Sequence, residues 1–307
     1  MMRRTAAATF VLFLAIAARA QDLAAVRTIG ITVRDLETSV RFYTDVLQFH
    51  LVERHREHGA DEERRRGVFG AHTETAVLEL GAERIELVEF LTPRGRDVPS
   101  DSRSNDCWFQ HIAIVVRDMD AAYETLAAKR VRHASPVPQT LPETIPAAAG
   151  IRAFYFFDPD GHPLEVLQFP AGKGDPRWHV RTDALFLGID HTAIVVADTE
   201  ASLRFWRDRL GLAVVGHSDN QGEEQQRLNN VLGAHLSITT LRGSAGPGVE
   251  LLEYVAPRTG RPMPADTAAN DLWHWFVTVQ PVAATAARGL VADPDGHRAL
   301  LVSARSE

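Results

Sequence analysis

The sequence contains one pattern twice. Residues 28–47, TIGITVRDLETSVRFYTDVL, return as HTAIVVADTEASLRFWRDRL at 191–210. Ile31, Val33, Asp35, Arg41, Phe42 and Leu47 correspond to Ile194, Val196, Asp198, Arg204, Phe205 and Leu210. VFGAH at 68–72 returns as VLGAH at 231–235, and IELVEFLTPRGR at 85–96 as VELLEYVAPRTGR at 249–261. A duplication of this length makes the chain a repeat of one supersecondary unit. Fainter copies begin with HIAIVVRDMDAA at 111–122 and HWFVTVQPVAAT at 274–285, and DPDGH occurs at 158–162 and 293–297. There are thus four units, two per copy. Each opens with an alternating strand, a polar turn and an amphipathic helix, in which Leu36, Val40, Tyr43 and Leu47 keep helical spacing. Two or three strands follow, and Asp-Pro-Asp-Gly marks a turn between the last two. The expected fold is α+β, made of tandem βαβββ modules with the fourth shortened.

The 307 residues suffice for two ordinary domains. The expected layout is a leader at 1–20, a first two-module domain at 25–170, a linker at 171–186 and a second domain at 187–304. Arg3 and Arg4, the apolar run 6–18 and Ala18-Arg19-Ala20 have the form of a cleavable export signal. That predicts a secreted or periplasmic protein, free of the membrane once the leader is removed. A net charge of −7 without a basic stripe argues against nucleic acid as a partner. Cys107 is the only cysteine, which excludes an intrachain disulfide, and it reads as buried and inert.

Strand alternation places His111 on one face with Ala113 and Val115, and Glu165 on one face with Leu167. A carboxylate among apolar neighbours needs a positive partner. A divalent metal with imidazole as a second ligand would supply it.

VRDLETSVRFYTDVL and DPDGHPLEV resemble the vicinal oxygen chelate superfamily, which includes glyoxalase I, methylmalonyl-CoA epimerase, extradiol dioxygenases and bleomycin resistance proteins. The resemblance covers essentially the whole chain after the leader. It implies that modules pair into curved, mostly antiparallel eight-stranded cups around a metal, with ligands from the first and last strand of each module. Those positions fall at Thr28 and Glu86, His111 and Glu165, His191 and Glu250, and His274 and Leu300. Threonine is a poor ligand and leucine is none. If sequence neighbours pair, each cup keeps three ligands, and Glu86 joins His111 and Glu165. If the second module pairs with the third, one intact cup holds His111, Glu165, His191 and Glu250.

Two imidazoles and two carboxylates suit Ni, Zn, Mn, Fe or Co with positions left for a substrate bearing two neighbouring oxygens. The resemblance then implies a lyase or isomerase that removes a proton alpha to a carbonyl, with Glu165 or Glu250 as base. Export argues for a substrate other than a glutathione adduct. Two alternatives stay open: an Fe(II) extradiol-type dioxygenase using His191, His274 and Glu250, and a module that binds a small molecule without chemistry.

Among the remaining features, the proline-rich residues 131–150 read as a candidate lid. His162 and His297 read as solvated turn residues, and Arg64 to Arg66 after Asp61 to Glu63 as a solvated loop.

Overall fold

A computed structural model describes residues 23–282 and 289–303. The leader at 1–20 lies outside the described residues, as does 283–288, where the short helix of the fourth module is expected.

Module one comprises β1 (Ala25–Val33), α1 (Leu36–Asp45), β2 (His50–His58), α2 (Ala60–Arg66), β3 (His72–Leu80) and β4 (Glu83–Thr92). Module two comprises β5 (Gln110–Val116), α3 (Met119–Ala128), the fragments β6 (Arg132–His133) and β7 (Gln139–Thr140), then β8 (Arg152–Phe157) and β9 (Pro163–Gln168). Module three has β10 (Phe186–Val196), α4 (Thr199–Leu203), which runs on as a π-helical turn, β11 (Ala213–Gln221), α5 (Glu223–Asn229), β12 (His235–Arg242) and β13 (Gly248–Ala256). Module four keeps β14 (Trp275–Gln280), β15 (Gly289–Ala292) and β16 (Arg298–Leu301). The repeated Asp before each main helix is its N-cap. Asp35, Asp118 and Asp198 each accept a hydrogen bond from a backbone N–H in the first turn, at 2.7, 3.1 and 2.8 Å.

The pairing of modules is crossed. One sheet runs β15-β16-β14-β1-β4-β3-β2, so modules one and four share it. The other runs β11-β12-β13-β10-β5-β9-β8-β6, with β7 also on β8, so modules three and two share it. The two halves of the sequence therefore do not each close a cup. Instead, the helices of modules one and two pack back to back in one core that joins Val40 and Tyr43 to Leu126, Phe154 and Val166. Modules three and four share another, around Trp206, Leu251 and Val279. The eight strands expected per cup become seven in the first sheet, because module four is short. In the second sheet the eighth place is divided between the two-residue β6 and β7, where Pro136 and Pro138 break the strand.

The turns at 158–162 and 293–297 lock the sheets together. Asp160 accepts from the backbone N–H of Arg34 in module one, and Asp295 from that of Ala197 in module three, at 2.9 and 3.0 Å. His162 and His297 are buried, not solvated. His162 donates through Nε2 to the carbonyl of Leu272 at 2.6 Å, and His297 to that of Val195 at 2.7 Å. Arg96 and Arg261, which end the duplicated PRGR and PRTGR stretches, instead tie together the two modules that share a sheet. Arg96 forks onto Asp271 and Arg261 onto Asp106, with closest approaches of 2.6 and 2.7 Å.

The cup of modules one and four is filled. Phe276 lies over Gly30, where an added Cβ would sit 2.0 Å from its ring. Val88, Phe90 and Leu300 pack around it. Gly30→Ala should therefore cost about 1–3 kcal/mol from overpacking, measured as a lower midpoint in urea unfolding. A midpoint equal to that of the wild type would show that the cup has room.

Candidate metal-binding site

The sheet of modules two and three lines a cavity of about 950 Å³. In β5, Ala113 and Val115 turn to the cavity side, and Ile112, Ile114 and Val116 turn to the helices. His111 takes the cavity side by the same alternation. In β9, Leu164 and Val166 enter the helical core, which leaves Glu165 on the cavity face beside Leu167. In the antiparallel pairing of β5 with β10, Ala193 stands opposite His111 and His191 opposite Ala113. The two histidines thus sit diagonally across the seam between the modules.

Four side chains meet there. His111 Nε2 lies 3.1 Å from Glu165 Oε2. His191 Nε2 lies 3.7 Å from the same oxygen and 3.3 Å from Glu250 Oε2. The ligand atoms of His111, Glu165 and His191 all fall within 4.8 Å of one another. Glu250 is steadied by Thr240 Oγ1, which donates to its Oε1 at 2.8 Å.

Supporting groups set the orientation of His191. Its Nδ1 donates to the buried Asp190 Oδ2 at 2.9 Å, which leaves Nε2 aimed at the two glutamates. Arg242 holds Asp190 with contacts of 2.8 Å to both oxygens, and Trp178 Nε1 donates to it at 3.3 Å. Burial works against the Asp190 charge, but the His191 and Arg242 hydrogen bonds hold its pKa well below the carboxylate range. Burial likewise opposes a charge on His191, but Glu250, Asp190 and Glu165 outweigh it and raise the imidazole to about 9. Gln110 and Thr192 brace the seam from behind. Thr192 Oγ1 accepts from Gln110 Nε2 at 3.0 Å and donates to the His111 carbonyl at 2.7 Å.

The donor set fits a divalent cation. With His191 neutral, its bare Nε2 lone pair would point at two carboxylate oxygens, an arrangement stable only with a proton or a cation between them. His111 Nδ1 is buried without a hydrogen-bond partner. Asp190→Asn should loosen divalent metal about 10–100-fold while His111 and Glu165 keep their places. Competition with a fluorescent chelator measures this, and an unchanged affinity would remove Asp190 from the account.

Glu86 does not join this group. It lies in the filled cup, where it accepts from Thr28 Oγ1 at 2.6 Å. His274 is absent too. It is buried beside Thr32, 3.5 Å from Oγ1, and burial, with Arg298 and Arg66 nearby, lowers its pKa to about 3. The frame of module four is two residues off the expected one. Thr28 pairs with Thr278 and Ile29 with Val277, just as His191 pairs with Ala113 and Thr192 with Ile112, so Phe276 holds the place of His111. The shared Asn-Asp-x-Trp at 105–108 and 270–273 carries that frame in the sequence. With His274 in the other sheet, the three-residue dioxygenase set of His191, His274 and Glu250 is broken. Leu141 and Ala148 from the proline-rich stretch, and Asp175 and Arg177 from the linker, also line the cavity, a contribution that no periodicity signals. Cys107 is buried, and burial pushes its thiol to about 11.

A curved sheet of two βαβββ modules, with imidazoles and carboxylates converging in its hollow, defines a small-molecule cup with a site that can hold metal. The Glyoxalase/Bleomycin resistance protein/Dioxygenase superfamily matches residues 25–166 and 188–293. A 2-epi-5-epi-valiolone epimerase from Actinomyces sp. is 35% identical over 153 residues, 48% of this chain and 81% of the epimerase. Glyoxalase I from Zea mays superposes with a TM-score of 0.60 at 15% identity, covering 93% of this chain and 94% of that one. A putative dioxygenase from Bacillus subtilis gives 0.56 at 14%, covering 92% and 86%. These two likenesses concern the fold alone. The chain belongs to the Glyoxalase/Bleomycin resistance protein/Dioxygenase superfamily.

Proposed function

We propose that this protein is a metal-dependent isomerase that epimerises a small substrate with two neighbouring oxygens by moving the proton alpha to its carbonyl. The observation that carries the reading is the convergence of His111, Glu165, His191 and Glu250 in one roomy cavity. The 35% identical epimerase supports the isomerase side over a lyase. A bound divalent ion, held by these four residues, would polarise the carbonyl and so acidify its alpha C–H bond. The chain supplies the proton transfer. Glu165 comes from module two and Glu250 from module three, on opposite sides of the seam. One carboxylate removes the proton from one face of the carbon, and the other returns a proton to the opposite face. Tyr155, whose ring lies 4.9 Å from His111, stays a neutral phenol, since burial and Glu165 raise its pKa far above the usual range.

The test joins metal analysis with proton exchange. The protein is loaded with Ni, Zn, Mn, Fe or Co, dialysed and assayed, with His111→Ala beside it. 2-Keto-myo-inositol is then followed by NMR in deuterated buffer. The expected result is about one metal per chain, lost in the variant, and deuterium at the carbon beside the carbonyl. Tight retention of the ketone without exchange would replace this reading with a binding module.

Export belongs to the proposal as well. Mass spectrometry of the protein from its native host should find a chain beginning near Gln21, and a full-length chain kept in the cytoplasm would refute it.

A further inference from the structure

The two cups descend from one repeat, and their walls differ in charge. Module one carries Glu57, Glu62, Arg65 and Arg66 on its edge strand and short helix. Arg65 pairs with Glu57 at 2.6 Å, and the buried Arg66 with the buried Glu62 at 2.8 Å. These residues are a built ion-pair cluster rather than the solvated loop expected. The Arg66 guanidinium lies 5.2 Å from the ring of Phe276, which plugs that cup. At the matching positions of module three stand Asn220, Gln225, Leu228 and Asn229. The charged side chains are gone from all four positions, although α2 and α5 have the same length.

A relay of uncharged groups takes their place. Asn220 Nδ2 donates to Gln225 Oε1 at 2.9 Å, Gln225 donates to Asn229, and Asn229 Nδ2 donates to the Tyr254 hydroxyl at 2.9 Å. Asn220 and Gln225 line the open cavity. Among the described residues, two guanidinium groups also line it, and both are engaged: Arg177 with Glu83 at 2.6 Å and Arg242 with Asp190. A phosphate or carboxylate on the ligand would meet no free guanidinium in this wall. A hydroxyl both donates and accepts, and so does a carboxamide, so the wall complements a ligand rich in hydroxyls.

We infer that the cavity takes an uncharged, polyhydroxylated carbonyl compound. Its carbonyl and adjacent hydroxyl face the His111 and His191 cluster, and its remaining hydroxyls are read by Asn220 and Gln225. The direction of the carbonyl rests on the function proposed above; the preference of the wall does not.

Calorimetry on the metal-loaded full chain tests the wall with myo-inositol, 2-keto-myo-inositol and myo-inositol 1-phosphate. The two neutral rings should bind, and the phosphate ester should bind at least about tenfold more weakly than myo-inositol. Gln225→Glu combined with Asn229→Arg, which restores the pair of module one, should weaken both neutral rings about tenfold or more. Metal content should stay unchanged. Asn220→Asp makes the same test with no change in side-chain size, should the double variant fold poorly. Equal or tighter binding of the phosphate ester would overturn the inference. So would the absence of neutral-ring binding up to about 20 mM, or wild-type affinity in a folded wall variant. Failure of the isomerase reading looks different: the neutral rings bind, but no deuterium enters the ketone.

Discussion

Glu165→Gln is expected to lower alpha-proton exchange by about 10²–10⁴-fold, the range for loss of a positioned general base. The amide keeps the shape of the side chain and can still meet His111, but it cannot accept the proton. Glu250→Gln should cause a comparable loss seen from the other side. If the two carboxylates serve opposite faces of the carbon, each variant still exchanges the proton of one epimer and fails on the other. Deuterium incorporation measured separately for the two epimers reads this directly. A Glu165→Gln protein that retains its metal and keeps more than about a tenth of the exchange with both epimers would remove Glu165 as a base.

The second large effect concerns stability. His162 meets an acceptor at each ring nitrogen, Asp158 Oδ2 at 2.7 Å and the Leu272 carbonyl at 2.6 Å. Both nitrogens must donate, so the ring is an imidazolium. Burial opposes that charge, yet Asp158 outweighs it and raises the pKa to about 9. His162→Ala removes the positive partner of the buried Asp158 and cuts the tie to module four, and should cost about 3–5 kcal/mol. The sign with pH follows from linkage. A folded pKa above the unfolded one adds stability that is complete below the ordinary imidazole value of 6.5 and is lost as pH rises through about 9. Wild-type melting temperature should therefore fall between those limits, and that of His162→Ala should change less. Parallel curves for the two proteins would show that His162 does not carry this charge.

Much of this architecture could be read from the chain. The duplication exposed the modules, and the strand alternation around His111 and Glu165 put both on the right face. Complete ligand sets in modules two and three already leaned toward crossed pairing. Three things escaped, each for a physical reason. His274 looked like a ligand because it opens an apolar strand, but the conserved spacing to Asp271 and Trp273 within the repeat makes Phe276 the equivalent of His111. His162, Arg66 and Glu62 looked solvated because charge suggests exposure, whereas each has a buried partner of opposite charge. The walls supplied by 141–151 and by the linker come from irregular chain, whose place is decided by tertiary contacts and leaves no period to detect.

The crossed sheets also dictate an order of assembly. The cavity sheet draws all its strands from Gln110 to Ala256, an unbroken stretch. Its neighbour needs Ile29 beside Val277, a closure across nearly the whole chain. Long-range pairings form slowly, and chains emerge from the ribosome N-terminus first. During synthesis the opening strands of module one must wait, with an unpaired edge on β1, while the cavity sheet completes itself. The plugged cup then acts as a buckle that fastens the beginning of the polypeptide to its end.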